Sequence, residues 1–155
     1  MVEPPSLSLG GGENQFEPLN ENDGVVMVHG PQGGWHILGS FYVENALQIV
    51  DVEYTIEHIP TQTFVSNNTY RLAMISEGDC SGYYPGLYGY ITVMDLTEGE
   101  LDTPPELLAY EELQMKMRLN DCGTAQQQDN ICRREDRWME ASLNVLALPD
   151  PMDIE

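Results

Sequence analysis

The stretch LQIVDVEYTIEHI, residues 47–59, decides the fold class because apolar and polar side chains alternate along it. One side carries the apolar chains and ends in a histidine: Val50, Val52, Tyr54, Ile56 and His58. The other side carries Asp51, Glu53, Thr55 and Glu57. A period of two is that of a β-strand with one face buried and one face in water, which is typical of antiparallel sheets. We expect His58 to be a core or rim residue at the end of this strand.

The same period recurs toward the C-terminus and predicts more strands. Residues 111–120 alternate Leu and Met with Gln, Lys and Arg, and residues 138–148 alternate in the same way up to Pro149. Just before the segment 111–120, the stretch TPPELL favours a turn or short helix near 104–109. About seven strands with turn signals between them predict an all-β fold, an antiparallel immunoglobulin-like β-sandwich.

The length of 155 residues suits one domain with its own core. Residues 1–23 are rich in Pro, Gly, Ser, Asn and Glu, which predicts a flexible or extended tether outside that core. The sandwich domain is then expected over residues 24–150, with residues 151–155 as a tail.

Charge excludes some partners. The formal net charge is −20, from 26 acidic against 6 basic residues. Such a surface repels phosphate, so we expect no nucleic-acid partner. The chain has no apolar run long enough for a membrane-spanning segment.

Two of the three cysteines, Cys122 and Cys132, bracket a short polar loop. A disulfide closing such a loop would stabilise the fold by roughly 3 kcal/mol in the chain-entropy model. We predict that these two are bonded and that Cys80 is free. A disulfide indicates an oxidising compartment, so a secreted, periplasmic or outer-envelope location is expected, with the leader absent from this chain.

The stretch HGPQGGWHI, residues 29–37, has two interpretations. If the hairpin loop is Gly30 to Gly34, His29 lies opposite Trp35, and His36 projects to the other face. The stretch is then an architectural turn, with Trp35 as its anchor to the core and also as a candidate binding residue. A loop one residue longer would bring His29 and His36 together as half of a copper or zinc site, with Met27 or a carboxylate as a further ligand.

A tyrosine-rich stretch, CSGYYPGLYGY, is a second candidate site. Tyrosine combines an apolar body with a hydroxyl, so Tyr83 and Tyr84 on a loop would be anchors for a glycan or protein partner. Tyr88 and Tyr90 are expected to be strand residues that pack inward.

A turn GPQGG followed by His36, after an acidic Pro/Gly-rich leader, and a last strand ending in LALPDP resemble one group of proteins. These are uncharacterised secreted or lipid-anchored envelope proteins of myxobacteria-like bacteria. The resemblance covers about residues 24–150 and rests on Gly30–Gly34 with His36. It implies an immunoglobulin-like domain and an envelope location, but no activity. The cysteine that would carry a lipid anchor is not in this chain.

The sequence therefore favours a non-enzymatic secreted or cell-envelope binding module that presents loops to a protein or glycan. No nucleophile motif of the GxSxG type and no phosphate-binding loop occurs. The alternative is a periplasmic or surface protein that binds copper or zinc through His29 and His36. The register of the hairpin at residues 24–40 discriminates the two.

Overall fold

A computed structural model of the chain describes residues 5–31, 33–78, 80–96, 102–121 and 138–154. The described part contains ten strands. They are β1 (Ser6–Gly11), β2 (Glu17–Pro18), β3 (Gly24–His29), β4 (Trp35–Glu44), β5 (Ile49–His58), β6 (Thr63–Ala73), β7 (Ile75–Ser76), β8 (Ser81–Tyr90), β9 (Glu112–Asp121) and β10 (Trp138–Pro149). Helical structure there is limited to α1 (Pro104–Leu108) and two 3-10 turns, Ile59–Thr61 and Pro151–Asp153.

The strands form one curled, mixed sheet in the order β2-β1-β4-β3-β10-β9-β5-β6, with β8 pairing β4 and β7. Strand β3 joins its two halves. Residues 24–27 pair in parallel with β10, whereas Val28 and His29 pair antiparallel with β4. All the other strand pairs described are antiparallel.

Strand β5 packs across the core against β4 and β8. The Tyr54 hydroxyl donates to the backbone oxygen of Ile37 at 3.1 Å, and burial raises the pKa of this tyrosine. Its ring fits there because the opposing residues are glycines. A Cβ at Gly39 would lie 2.8 Å from the Tyr54 ring, and one at Gly89 would lie 2.9 Å from it. Strand β5 can therefore approach β4 and β8 this closely only at positions that carry no side chain, Gly39 and Gly89.

The all-β class and four sequence-predicted elements are confirmed. Strand β5 buries the predicted face, including His58, which is 5% exposed. The turn or short helix predicted near 104–109 is α1, and the strand predicted at 111–120 is β9. Strand β10 covers the last predicted strand. Asp51 is an exception to the alternation, since it lies on the polar face and is nevertheless buried. Its Oδ1 atom pairs there with Arg71 Nε at 2.7 Å.

The strand count and the tether differ from expectation. The described residues form ten strands, whereas about seven were predicted, and the β3–β10 pair is parallel. The tether predicted for residues 1–23 is wrong for residues 6–11, which pair with β4 and bury Leu9 in the core. The short alternation of Ser and Leu at positions 6–9 is the physical reason, since it gives this segment one apolar face.

Candidate functional site

The hairpin between β3 and β4 has the five-residue loop. His29 lies opposite Trp35, and Val28 lies opposite His36. The loop closes through hydrogen bonds from Gly30 N to Gly34 O at 2.7 Å and from Gly33 N to Gly30 O at 3.1 Å. His29 and His36 therefore project to opposite faces, and the geometric condition for a shared copper or zinc ion is not met.

Met27, the third residue of that metal hypothesis, is fully buried in the core. Among the described residues, no group of three or more His, Cys, Asp or Glu side chains is arranged to hold a metal ion. The residues proposed for the metal thus occupy three separate environments.

His29 and Trp35 belong to a cluster that we call the C-terminal clamp: His29, Trp35, Asp150 and Asp153. The two rings stack with centroids 4.2 Å apart and an interplanar angle of 18°. Asp153 binds both rings, with Oδ1 2.9 Å from His29 Nδ1 and Oδ2 accepting from Trp35 Nε1 at 2.9 Å. The segment expected as a tail, residues 151–155, is therefore docked on the hairpin at Asp153.

Asp150 completes the clamp by accepting a hydrogen bond from the backbone N–H of His29 at 2.9 Å. A second backbone donor, Met152 N, lies 3.0 Å from the same carboxylate. These hydrogen bonds hold the pKa of Asp150 below its usual value. Trp35, a predicted binding residue, thus has its indole N–H and one ring face engaged within the chain, and it packs against the core.

On the opposite face of β4, His36 joins three tyrosines in what we call the aromatic surface: His36, Tyr70, Tyr88 and Tyr90. His36 lies opposite Tyr90 in the β4–β8 ladder. Its ring centroid is 4.4 Å from that of Tyr88, and the Tyr88 and Tyr90 centroids are 5.6 Å apart at 80°. This edge-to-face geometry is a favourable one for aromatic pairs.

Tyr88 and Tyr90 are 42% and 58% exposed, so the prediction that they pack inward is wrong. The inward positions of this part of β8 are Leu87 and Gly89, both of them buried. Residue 89 is a glycine at the place where the Tyr54 ring and the Ile56 side chain approach most closely. The tyrosines on either side of it must therefore face outward.

Tyr70 links the aromatic surface to β6, because its hydroxyl donates to the backbone oxygen of Tyr88. Burial raises the pKa of Tyr70, and the nearby Tyr90 adds to that effect. The pKa of His36 is lowered by desolvation, and the Glu13 carboxylate opposes this in part. His36 is thus a neutral ring at neutral pH.

A groove of about 260 Å³ runs along the aromatic surface. Its lining comes from β6 and β8: Tyr70, Arg71, Leu72, Tyr84, Gly86, Leu87, Tyr88 and Tyr90. The Arg71 guanidinium is held by Asp51, with Nε donating at 2.7 Å and Nη2 at 3.3 Å. The groove therefore offers ring faces, hydroxyls and a charge-compensated arginine.

The predicted loop tyrosines lie in strand β8. Tyr84 pairs with Phe41 and lines the groove, whereas Tyr83 pairs with Tyr42. Tyr83 instead lines a separate hollow with Phe16. Sequence reasoning missed His36, Tyr70 and Arg71 as groove neighbours. The alternation Tyr-Gly-Tyr at 88–90 was the signal available for an outward aromatic pair.

Two remaining predictions concern His58 and the cysteines. His58 is a buried rim residue, as expected, with Nδ1 2.7 Å from Thr61 Oγ1 and Nε2 3.5 Å from Glu111 Oε1. Cys80 carries a free thiol. The predicted disulfide between Cys122 and Cys132 lies outside the described residues.

No protein-family model matches the chain, and no curated protein matches it. Among solved structures, the CooA pilin subunit from enterotoxigenic Escherichia coli aligns over 94% of this chain and 99% of that one, at 11% identity. The TM-score of 0.36 is too low to establish a shared fold, and no function is carried over from that protein.

None of the described helices has the length and hydrophobicity of a bilayer-spanning segment.

Proposed function

We propose that this protein is a non-enzymatic binding module whose ligand packs on the aromatic surface. The observation that carries the proposal is the pair Tyr88 and Tyr90, which expose 42% and 58% of their surface while their rings pack edge to face. Other described strands also expose single apolar residues, such as Phe64 and Ile75, but β8 exposes two tyrosines side by side along a groove, and these form a distinct surface. Exposed aromatic surface next to a concavity is a feature of ligand sites.

The proposal moves the binding residues from loops to a strand. A side chain on a paired strand loses less conformational freedom on binding than one on a loop, because its backbone is already ordered. Tyrosine adds to this advantage, since it offers a large contact area with only two side-chain torsions. Tyr84 remains in the site as a groove residue, but Tyr83 and Trp35 do not.

The groove chemistry supports binding rather than catalysis. Its one charged lining residue is Arg71, which is already paired with Asp51. General acid–base or nucleophilic chemistry requires a base or nucleophile within hydrogen-bond reach of a substrate. The described lining consists instead of tyrosine, leucine and glycine residues with this arginine, and the Tyr70 hydroxyl is already bonded to the backbone oxygen of Tyr88.

The architecture that presents this surface is, in our proposal, an immunoglobulin-like sandwich. Two features support it. Strand β3 pairs first with β10 and then with β4, and so belongs to both halves of the curled sheet. Tyr54 of β5 reaches Ile37 of β4 across the core. Two sheet halves that face each other over one core are the basis of such sandwiches.

We place the module outside the cytoplasm, in the secreted or cell-envelope class. The support is the close spacing of Cys122 and Cys132 in the sequence. Thiol titration of the denatured protein should count one free thiol per chain, from Cys80. Three free thiols would contradict this location. The resemblance of Gly30–Gly34 with His36 to envelope proteins stays a prediction.

The binding proposal is tested by mapping a ligand panel onto the isotope-labelled chain by NMR. The panel contains neutral oligosaccharides of glucose, mannose and xylose, an anionic uronate oligosaccharide and a polyproline peptide. We expect at least one member to shift the signals of His36, Tyr88 and Tyr90. Shifts that all map elsewhere, or an absence of shifts throughout the panel, would contradict the proposal.

A further inference from the structure

We infer that the ligand of the aromatic surface is a neutral glycan. The inference rests on the proposed function and adds the chemical class of the ligand. Four features carry it: the free ring faces, the hydrogen-bonding groups around them, the local charge balance and the shape of the groove.

The ring faces suit a sugar. The His36 ring packs on Tyr88 with centroids 4.4 Å apart, whereas both ring contacts of Tyr90 are edge-to-face. Tyr90, which is 58% exposed, is therefore the ring with the more available face. The C–H groups on the flat side of a pyranose carry slight positive charge, and they pack favourably on the negative face of an aromatic ring.

Hydrogen-bonding groups surround those faces. Tyr84, Tyr88 and Tyr90 bring hydroxyls to the groove, and each hydroxyl can donate and accept. Arg71 uses Nε and Nη2 for Asp51, and within the described part of the chain its Nη1 has no hydrogen-bonded partner. Sugar hydroxyls need this mixture of donors and acceptors around an apolar platform.

The charge balance selects a neutral sugar. Asp51 compensates Arg71, the only charged residue in the described lining, so no excess cation remains there to hold a uronate or sulfate. The net charge of −20 further repels an anionic chain. The described lining also lacks a carboxylate that would hold an amino-sugar cation.

The shape of the groove favours a sugar polymer over the other ligand of aromatic grooves, a proline-rich peptide. Proline-rich segments dock into slots between aromatic side chains. The 80° angle and 5.6 Å separation of the Tyr88 and Tyr90 rings place the edge of one ring where such a slot would be. The groove volume of about 260 Å³ lies below the range of about 300–1,000 Å³ usual for enclosed small-molecule pockets. It therefore suits one stretch of a longer chain.

The test is calorimetric titration of the full chain with neutral glucose, mannose and xylose oligosaccharides, with a uronate oligosaccharide and a polyproline peptide as competing classes. We expect at least one neutral oligosaccharide to bind. Its affinity should fall about tenfold, or about 1.4 kcal/mol, in Tyr90→Ala, because the variant removes the ring on which the sugar packs. Tyr90→Phe keeps the ring and should retain most of the affinity. Tyr110→Ala is the matched control, since Tyr110 is 63% exposed and lies outside the surface.

Three results would overturn the inference. In the first, the wild-type chain binds no neutral oligosaccharide, whereas the uronate or the polyproline peptide binds in a Tyr90-dependent manner; the proposed function then stands with another ligand class. In the second, a neutral oligosaccharide binds equally to wild type and Tyr90→Ala, which places its site elsewhere. In the third, no probe binds at all, and the proposed function fails together with the inference.

Discussion

The C-terminal clamp and the aromatic surface each contain one histidine of the same hairpin, but they differ in how far their side chains are engaged within the chain. Each places a histidine against an aromatic ring, at 4.2 Å for His29 on Trp35 and at 4.4 Å for His36 on Tyr88. In the clamp, Asp153 bonds one ring nitrogen of each partner, Nδ1 of His29 and Nε1 of Trp35. On the aromatic surface, the tyrosine rings expose much of their area to solvent.

The difference teaches how to separate a structural cluster from a binding surface of similar composition. A cluster whose polar atoms and ring faces are engaged within the chain has little left to offer a ligand, and its loss should be felt as stability. A cluster that is rigid but still exposed contributes little to stability and retains its capacity to bind. The four predictions below test this contrast.

The largest expected effect is that of Trp35→Ala. It removes the stack with His29, the hydrogen bond to Asp153 and the packing of the indole on the core. We expect a loss of about 3 kcal/mol in the free energy of unfolding, at the low end for a tryptophan truncation because Trp35 is only partly buried. Denaturant unfolding measures it. A loss below about 0.5 kcal/mol, the usual range for surface changes, would contradict a structural role for the clamp.

Asp153→Ala should have the next largest effect. It deletes the acceptor for Trp35 Nε1 and the partner of His29 Nδ1 in one step. We expect a loss of about 1–2 kcal/mol, the usual cost of leaving partly buried polar groups without partners. Met152→Ala is the matched control from the same turn, since Met152 is 70% exposed. Equal losses in the two variants would show that the carboxylate does not hold the tail.

Tyr90→Ala should change stability by about 0.5 kcal/mol or less, as is usual for exposed positions. Its ring has aromatic neighbours, as that of Trp35 does, but it is 58% exposed and, among the described residues, bonds no carboxylate. Thermal unfolding of wild type and variant provides the measurement. A loss as large as that of Trp35→Ala would mean that the aromatic surface is structural too, and the contrast between the two regions would fail.

The smallest effects are those of pH, and they fall in two windows. The folded pKa of His36 lies below 6.5, so the unfolded chain takes up this proton first as the pH falls. Stability should therefore decline below pH 6.5 until folded His36 is protonated, and His36→Gln should lack this decline. The folded pKa of Asp150 lies below 3.8. Its contribution is present above pH 3.8 and is lost as the pH falls through the folded value.

The two pH windows are distinguished by measuring unfolding curves of wild type and of each variant over a series of pH values. The wild type minus His36→Gln difference should change only below pH 6.5. The wild type minus Asp150→Asn difference should stay constant down to pH 3.8 and then shrink. A His36 difference that grows in the opposite direction would contradict the desolvation of this ring.

Much of the fold could be predicted from local sequence. The alternation of residues 47–59 identified β5 and its buried face, because the strand period of two leaves a direct trace in the order of residues. The hairpin could also be predicted once a five-residue loop was assumed, since register determines which side chains share a face. Strand β1 was not predicted because it is short, and because Gly10 and Gly11 are typical of flexible linkers.

The candidate site was predicted less well, since its members come from three strands far apart in sequence. The tyrosine-rich stretch was singled out correctly, but Tyr88 and Tyr90 were assigned to the wrong face. The alternation within residues 87–90 predicts that Tyr88 and Tyr90 share one face of the strand, but it does not predict which face is buried. That depends on Tyr54, which is more than thirty positions away and packs over Gly89.

Sequence alone determined the all-β class, the strand pattern around residues 47–59 and the acidic character of the chain, because these depend on the order and type of neighbouring residues. Tertiary structure alone decided that His29 joins Asp153 across 124 positions and that His36 joins Tyr88 and Tyr90. The physical reason is that β3 crosses between the two halves of the sheet and the chain end returns to it. Which histidine is enclosed and which stays on an open surface is settled by those long-range pairings.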